Sequence, residues 1–299
     1  MEITVLLTCF NRKVLTLSCL EHVLKAREAY NVNHDDNIKL SFFLTDDKCT
    51  DGTPDAVGDF LQNERLTIIP ADGNAYWAGG MRLAWNKALE AGCFDFYLLL
   101  NDDTDVWPNL FDELLEAHEY SLKKFSVCGV YSGNTTAKND ITKRTFGGKR
   151  EIGGLFKKYV RIQPNGTPQQ CDVVNANILL VPSLIVENIG IFPSCYIHGA
   201  ADNDYSKYAI KCGFKAWITS NFCGGCDADN YDVNAEYEKI RRMSLKERRE
   251  YFSHPVRSIH DALEFCKKWR KTYIPFMLVL HFLHIYMPSA YCWVYKKMS

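Results

Sequence analysis

The sequence predicts an α/β chain: a mostly parallel sheet flanked by helices, followed by a C-terminal helical extension. Three observations predict it. Short apolar runs of strand length alternate with stretches of helical spacing through the first hundred residues. Each run ends in polar, acidic and turn-forming residues, as expected where the strand ends of a parallel sheet share one edge. Beyond residue 231 the chain turns to charged amphipathic and then apolar, aromatic stretches. With 299 residues, there is room for one large domain, expected over residues 1–230, and a helical region over 231–299.

Residues 3–7 read as the first strand. Thr8-Cys9-Phe10-Asn11-Arg12 breaks it, and residues 14–29 follow with Leu15, Cys19, Leu20, Val23 and Leu24 at helical spacing. The second strand, 40–44, runs into Thr45-Asp46-Asp47 and the turn Asp51-Gly52, before a helix over 55–61. A third strand, 66–69, leads to Asp72-Gly73-Asn74 and a helix over 79–91. The fourth, 94–100, is apolar and stops abruptly at Asn101-Asp102-Asp103-Thr104-Asp105. In a parallel sheet the loops at 8–12, 46–47, 72–74 and 101–103 converge on one edge, which predicts a nucleotide-sized pocket there. A helix is expected from 108 to about 123 and a strand over 127–131. Residues 132–166, with Gly147-Gly148 and Gly153-Gly154, suit hairpins or a mobile loop. A strand over 172–181, a helix over 182–189 and a helix over 205–211 complete the first part.

Composition excludes some functions. A net charge of -1 provides no basic field for nucleic acid. Met1 leads straight into a strand-like run, so the N-terminus reads as structural. The twelve cysteines are then expected as reduced thiols in the cytoplasm. Cys223 and Cys226 make one C-x-x-C with no second pair, whereas a zinc site needs about four ligands. No G-x-G-x-x-G follows the first strand, which disfavours a dinucleotide oxidoreductase.

The acidic strand ends carry the chemistry. Neighbouring carboxylates at Asp102 and Asp103 repel, and a hard divalent cation bridging to phosphate would compensate them; a solvated turn with an N-cap is the plain alternative. Asp46 and Asp47 suit either a base or ribose contact or turn capping. Arg12 suits a phosphate or open solvent. Arg82, three residues before Trp85, suits a pyrophosphate or a surface ion pair. Asp202 and Asp204 start a helix, where one is either a general base or a cap. His198 is a base, a ligand, a substrate contact or a structural residue. Beyond them, residues 241–251 and 259–271 read as helices. Residues 274–295 are apolar but interrupted by His281, His284, Pro288 and Ser289, and are flanked by Lys296-Lys297. That suits a helix pair lying on a membrane surface, or one packed on the domain, better than a span.

Taken in order, these blocks resemble the inverting nucleotide-sugar glycosyltransferases of family 2, which have the GT-A fold. Within that family the rhamnosyltransferase-like branch is the most similar. The matching blocks are Leu7 to Arg12; Thr45-Asp46-Asp47 with Thr50-Asp51-Gly52-Thr53; Gly73-Asn74 with Trp77, Gly79-Gly80-Met81-Arg82 and Ala84-Trp85-Asn86; Leu99 to Thr104; and His198-Gly199 with Asp202 to Tyr205. Together they span residues 3 to about 215. The resemblance implies a donor half over about 1–105 and an acceptor half over about 106–230. Thr8, Phe10 and Arg12 would line the nucleotide, and Asp46, with Asp47 beside it, would accept from the base. Gly73, Asn74 and Gly80 would border the donor, and Arg82 would meet phosphate. Asp103 would hold Mg2+ or Mn2+ on the diphosphate, with Asp102 on ribose or metal. Asp202 would take the proton of the acceptor hydroxyl; His198, Asp204 and Trp77 would lie on the acceptor side.

The expected donor is a UDP- or dTDP-linked sugar, with rhamnose among the candidates. The expected acceptor is a saccharide or lipid-linked saccharide of a bacterial surface polysaccharide, met in the cytoplasm or at the inner face of the membrane. No nucleic acid partner is expected. In-line displacement by the acceptor inverts the anomeric centre, and would place Asp103 and Asp202 roughly 10 Å apart. Four departures stand out. Trp85 stands where many relatives have Arg, which leaves Arg82 as the substitute. Asn101 replaces the first acid of the family's Asp-x-Asp motif, Ala201 stands where an acid precedes the catalytic Asp, and Cys223-Gly224-Gly225-Cys226-Asp227 occupies the region of a family His. They keep open a non-catalytic sugar-nucleotide-binding or scaffold role.

Overall fold

The computed structural model describes residues 1–153, 158–227 and 233–298. Gly154, residues 228–231 and the side chains of Tyr295, Lys296 and Lys297, all invoked above, lie outside the described residues. The chain forms two units. The first comprises residues 1–194 with 201–227, and the second comprises residues 195–200 with the described residues from 233 onward.

In the first unit, β1 (Glu2–Cys9), α1 (Lys13–Asn33), β2 (Lys39–Asp46), α2 (Thr53–Phe60), β3 (Arg65–Pro70), α3 (Tyr76–Ala91) and β4 (Phe96–Leu100) alternate in order. Then come β5 (Asp105–Val106), α4 (Leu110–Phe125), β6 (Gly129–Ala137), β7 (Asp140–Arg144), β8 (Gly148–Ile152) and β9 (Lys158–Arg161). The unit closes with β10 (Gln169–Gln170), β11 (Val173–Val174), β12 (Ile178–Pro182), α5 (Ser183–Ile189), α6 (Ala201–Lys211) and β13 (Lys215–Gly225).

The main sheet runs β10-β13-β6-β12-β4-β1-β2-β3. β4, β1, β2 and β3 are parallel, as are β13 and β6; β12 lies antiparallel between β4 and β6. Ile3, Val5, Leu6 and Leu7 of β1 are all fully buried, so both faces of the sheet are covered. One layer is α1, whose Cys19, Leu20, Val23 and Ala26 face the core, together with α4, which buries Leu110, Phe111, Leu114 and Ala117. Each fully buried leucine contributes about 2 kcal/mol.

α3 lies against β1 and β2 at unusually close range. A Cβ on Gly80 would stand 2.2 Å from Thr8 Oγ1 and 2.7 Å from Thr8 Cβ, and the Gly80 carbonyl accepts from Thr45 Oγ1 at 2.8 Å. Gly80→Ala is therefore expected to destabilise the fold by about 2 kcal/mol through overpacking. Urea unfolding would show it as a lower midpoint with an unchanged slope.

Several elements differ from the sequence expectation. The strand expected over 172–181 is two, β11 and β12. They are parted by Asn175-Ala176-Asn177, whose backbone groups bond Gly147, Asp202 and Asn101 instead of a strand neighbour. The described residues of 132–166 adopt the hairpin alternative: β6 continues to Ala137 and pairs with β7, and β8 pairs with β9 and β11 in a second, small sheet. α6 begins at Ala201 and not at 205. β13 was not anticipated, although Ala216-Trp217-Ile218-Thr219 carries the aromatic and β-branched signal of a strand.

The second unit holds α7 (Val233–Arg242), α8 (Leu245–Ser253), α9 (His260–Trp269), α10 (Ile274–Tyr286) and α11 (Pro288–Met298). The single helix expected over 241–251 is split because Ser244 and Glu247 form a capping box that starts α8 afresh. Ile240, Phe252 and Ile285 form the core of this unit. Among the described residues, no helix is long and apolar enough to cross a membrane.

Candidate active site

The loops after β1, β2 and β4 meet at the carboxyl edge of the parallel strands, and the loop before α3 joins them. Arg12 Nη1 contacts Asp102 Oδ1 at 3.2 Å and Asp103 Oδ2 at 2.9 Å. Thr16 Oγ1 donates to Asp102 Oδ2 at 3.3 Å. Asp102 is buried, and burial pushes its carboxyl up to about 6, against the pull of Arg12 and with a further push from Asp103. Asp103 is the more open of the pair, at 30% side-chain exposure. Two adjacent carboxylates with a lone guanidinium across them are an anionic site that a cation compensates. The residue set therefore fits a hard divalent ion.

Asn101 has a different task. Its Oδ1 accepts from Trp77 Nε1 at 2.7 Å, and its backbone N–H donates to the Asn177 carbonyl at 3.1 Å. The Asn101 amide thus fixes the Trp77 indole, which also packs on Phe192. Cys226 Sγ lies 3.7 Å from Asp103 Oδ1, so the segment that follows β13 brings a thiol to the acidic pair. Burial, then Asp103, pushes that thiol up to about 12.

Of the other anticipated residues, Thr8 is the penultimate residue of β1 and packs against Gly80. Phe10 is 55% exposed, which leaves its ring available for stacking. Asp46 Oδ1 accepts from the Cys49 N–H at 2.7 Å. Asp47 is buried and accepts three backbone N–H groups, from Gly73 at 2.9 Å, Ala75 at 3.1 Å and Tyr76 at 3.0 Å. It holds the loop that enters α3, where Gly73 and Tyr76 both take positive φ. Asn74 is exposed, and its N–H donates to Asp72. Asp47→Ala would leave buried donors unmatched, and should lower stability by about 3 kcal/mol in urea unfolding.

Arg82 Nη1 donates to the Pro193 carbonyl at 3.1 Å. Trp85 is fully buried among Tyr97, Phe192 and Tyr205.

Asp202 sits in the first turn of α6. Its Oδ2 accepts the Ala176 N–H at 3.1 Å, and its Oδ1 accepts the Asn203 N–H at 2.7 Å and Nδ2 at 2.8 Å. Burial raises its pKa above the usual carboxylate range, opposed by Lys149, by backbone N–H groups of Asn203 and Ala176 and by Asn175. Burial also lowers the Lys149 pKa, with Asp202 pulling it back up. Asp204 is buried on the same turn. In the second unit, the backbone N–H groups of Ile197, His198 and Gly199 all donate to Asp261, at 2.7–3.0 Å. That carboxylate stays below its ordinary pKa: burial pushes it up, but His260 and the three amides outweigh it.

Asn175-Ala176-Asn177 links the two acidic centres. Asn175 bonds the Asp202 side chain, and the Ala176 N–H donates to it. The Asn177 carbonyl accepts from Asn101, and its Nδ2 donates at 3.4 Å to Cys226 Sγ, which touches Asp103. Three consecutive residues and Cys226 thus join Asp202 to Asp103. The sequence reading missed Lys149, Asn175 and Asn177. The signal available was two amides interrupting an otherwise apolar run.

The family model for Glycosyl transferase family 2 matches residues 4–176. No curated protein gives a significant match. Among solved structures, a mannosyltransferase from Pyrobaculum calidifontis in complex with GDP-Man and Mn2+ is similar over 97% of this chain and 71% of that one, at 16% identity and a TM-score of 0.55. S. aureus TarS 1-349 in complex with UDP-GlcNAc is similar over 81% of this chain and 65% of that one (12% identity, TM-score 0.52). GalNAc-T7 with UDP, GalNAc and Mn2+ is similar over 75% and 43% (15% identity, TM-score 0.57). The chain thus spans less than two thirds of the last two. At these identities the likeness is one of fold.

Proposed function

The chain belongs to glycosyl transferase family 2, and from that premise we propose that it is an inverting, metal-dependent transferase. It would move a sugar from a UDP- or dTDP-linked donor to a hydroxyl of a saccharide or lipid-linked saccharide. The observation that carries the reading is the link through Asn175–Asn177 between a compensated acid pair and a buried, lysine-faced carboxylate. The bound nucleotides and Mn2+ of the fold neighbours support it.

Phe10 stacks on the base and Asp46 accepts its N–H. Asp103, with Asp102, would hold Mg2+ or Mn2+, which supplies charge neutralisation at the departing diphosphate. Arg12 exchanges its carboxylate partners for a phosphate oxygen once that charge is present. Asp202 accepts the proton of the acceptor hydroxyl, whose oxygen attacks the anomeric carbon opposite the leaving group. A rhamnose donor, a place in surface polysaccharide synthesis and membrane contact of the C-terminal helices belong to the same proposal. A boundary near residue 230 between transferase and helical regions does too.

The test is nucleoside diphosphate release from a panel of UDP- and dTDP-sugars with Mn2+, each with and without saccharide acceptors. Turnover of one donor that rises with acceptor supports the reading. Nucleotide binding without turnover of any donor, under any acceptor, would place the chain with the non-catalytic binders.

A further inference from the structure

A second group of ligand-type side chains lies at the strand edge. Cys9 ends β1, Asp46 ends β2, and the two are partners in register. Cys49 follows in the turn whose N–H is bound by Asp46. One ligand atom from each of the three lies within 4.8 Å of the others. The two Sγ atoms are 3.7 Å apart. Two Zn–S bonds of about 2.3 Å meeting at the tetrahedral angle put their sulfurs roughly 3.8 Å apart. A disulfide requires about 2.05 Å. Asn11, at φ 52°, donates its backbone N–H to Cys49 Sγ at 3.2 Å. Its own Oδ1 is held by the Thr50 N–H at 2.7 Å. Such donors orient metal-bound thiolates and strengthen their binding.

We propose that Cys9, Asp46 and Cys49 bind a thiophilic divalent metal, Zn2+ foremost, in a site separate from Asp102 and Asp103. Three protein ligands leave the fourth tetrahedral position open to water or a small ligand. Two thiolates select Zn2+ over Mg2+ or Mn2+, so the two sites sort metals by softness. Binding forms two Zn–S bonds and a Zn–O bond, releases the two thiol protons and changes no oxidation state. The Asp46 carboxylate is the one assigned above to the nucleotide base, so zinc would compete with the base for it. The zinc site itself does not rest on the transferase reading, and its test uses no nucleotide.

The test titrates the reduced chain with Co2+ in the presence of Mg2+, followed by displacement with Zn2+. The expected result is a thiolate-to-cobalt charge-transfer band that Zn2+ abolishes. Cys9→Ser and Cys49→Ser should each weaken Co2+ by at least about 100-fold, beyond what loss of a supporting group alone causes. Cys226→Ser should leave the band in place. On the wild-type chain, Zn2+ should shield half-buried Cys49 from alkylation, which keeps the test decisive if Cys9→Ser fails to fold. The proposal is overturned by absence of the band, by its survival in both variants, by its loss in Cys226→Ser, or by a Cys9–Cys49 disulfide forming in place of metal binding.

Discussion

Asp202→Asn is expected to lower kcat for sugar transfer about 1000-fold while leaving donor-nucleotide affinity unchanged. The fold buries this carboxylate at the start of α6 with Lys149 facing it. Burial raises its proton affinity, which makes it a better base. Lys149 and the amides of Ala176 and Asn203 keep the anion populated. An amide of the same shape keeps one acceptor and loses both charge and basicity. Steady-state kinetics with the preferred donor and acceptor measure the loss, and calorimetric titration with the nucleotide checks that the donor site is intact. Equal losses in kcat and nucleotide affinity would make Asp202 a structural cap, since three of its hydrogen bonds come from Ala176 and Asn203.

Asp103→Ala is expected to weaken Mn2+ by at least about 100-fold and to remove the metal-dependent part of nucleotide binding. Asp103 is the more exposed carboxylate of the pair and carries an Arg12 contact at 2.9 Å. Removing it leaves Asp102 alone with Arg12, which is enough to cancel its charge without any metal. The converse change, Arg12→Ala, frees both carboxylates and should tighten Mn2+ in the absence of nucleotide. Mn2+ paramagnetic resonance in solution reads both variants directly. Unchanged Mn2+ binding in Asp103→Ala would contradict the assignment of the metal to the acidic pair.

The edge of the sheet was readable because strands one to four obey a simple rule: an apolar run, then acid and turn residues, then a helix. The structure brings those loops together through Arg12 with Asp102 and Asp103, Asp47 with Gly73, and Trp77 with Asn101. The rule fails where chemistry depends on bonds between distant segments. Asp47 has the sequence signature of a ligand contact, yet its oxygens are taken by three backbone amides of a loop that begins 26 residues later. Arg82 reads from sequence as a phosphate contact or a surface ion pair, and a carbonyl partner in Pro193, 111 residues away, is invisible to local pattern. Asn175 and Asn177 were passed over because a polar break in an apolar run says nothing about which acids it will meet. The hairpins of β7, β8 and β9 were left between two alternatives, as short polar strands carry weak periodicity.

The central claim is that the acidic strand edge binds a nucleoside diphosphate through a divalent cation. The most direct measurement is isothermal titration of the purified chain with UDP and with dTDP, each with and without Mn2+. The account predicts that one of the two binds, that binding requires Mn2+, and that Asp103→Ala abolishes it. Binding that is indifferent to Mn2+, or no binding of either nucleotide, would contradict it.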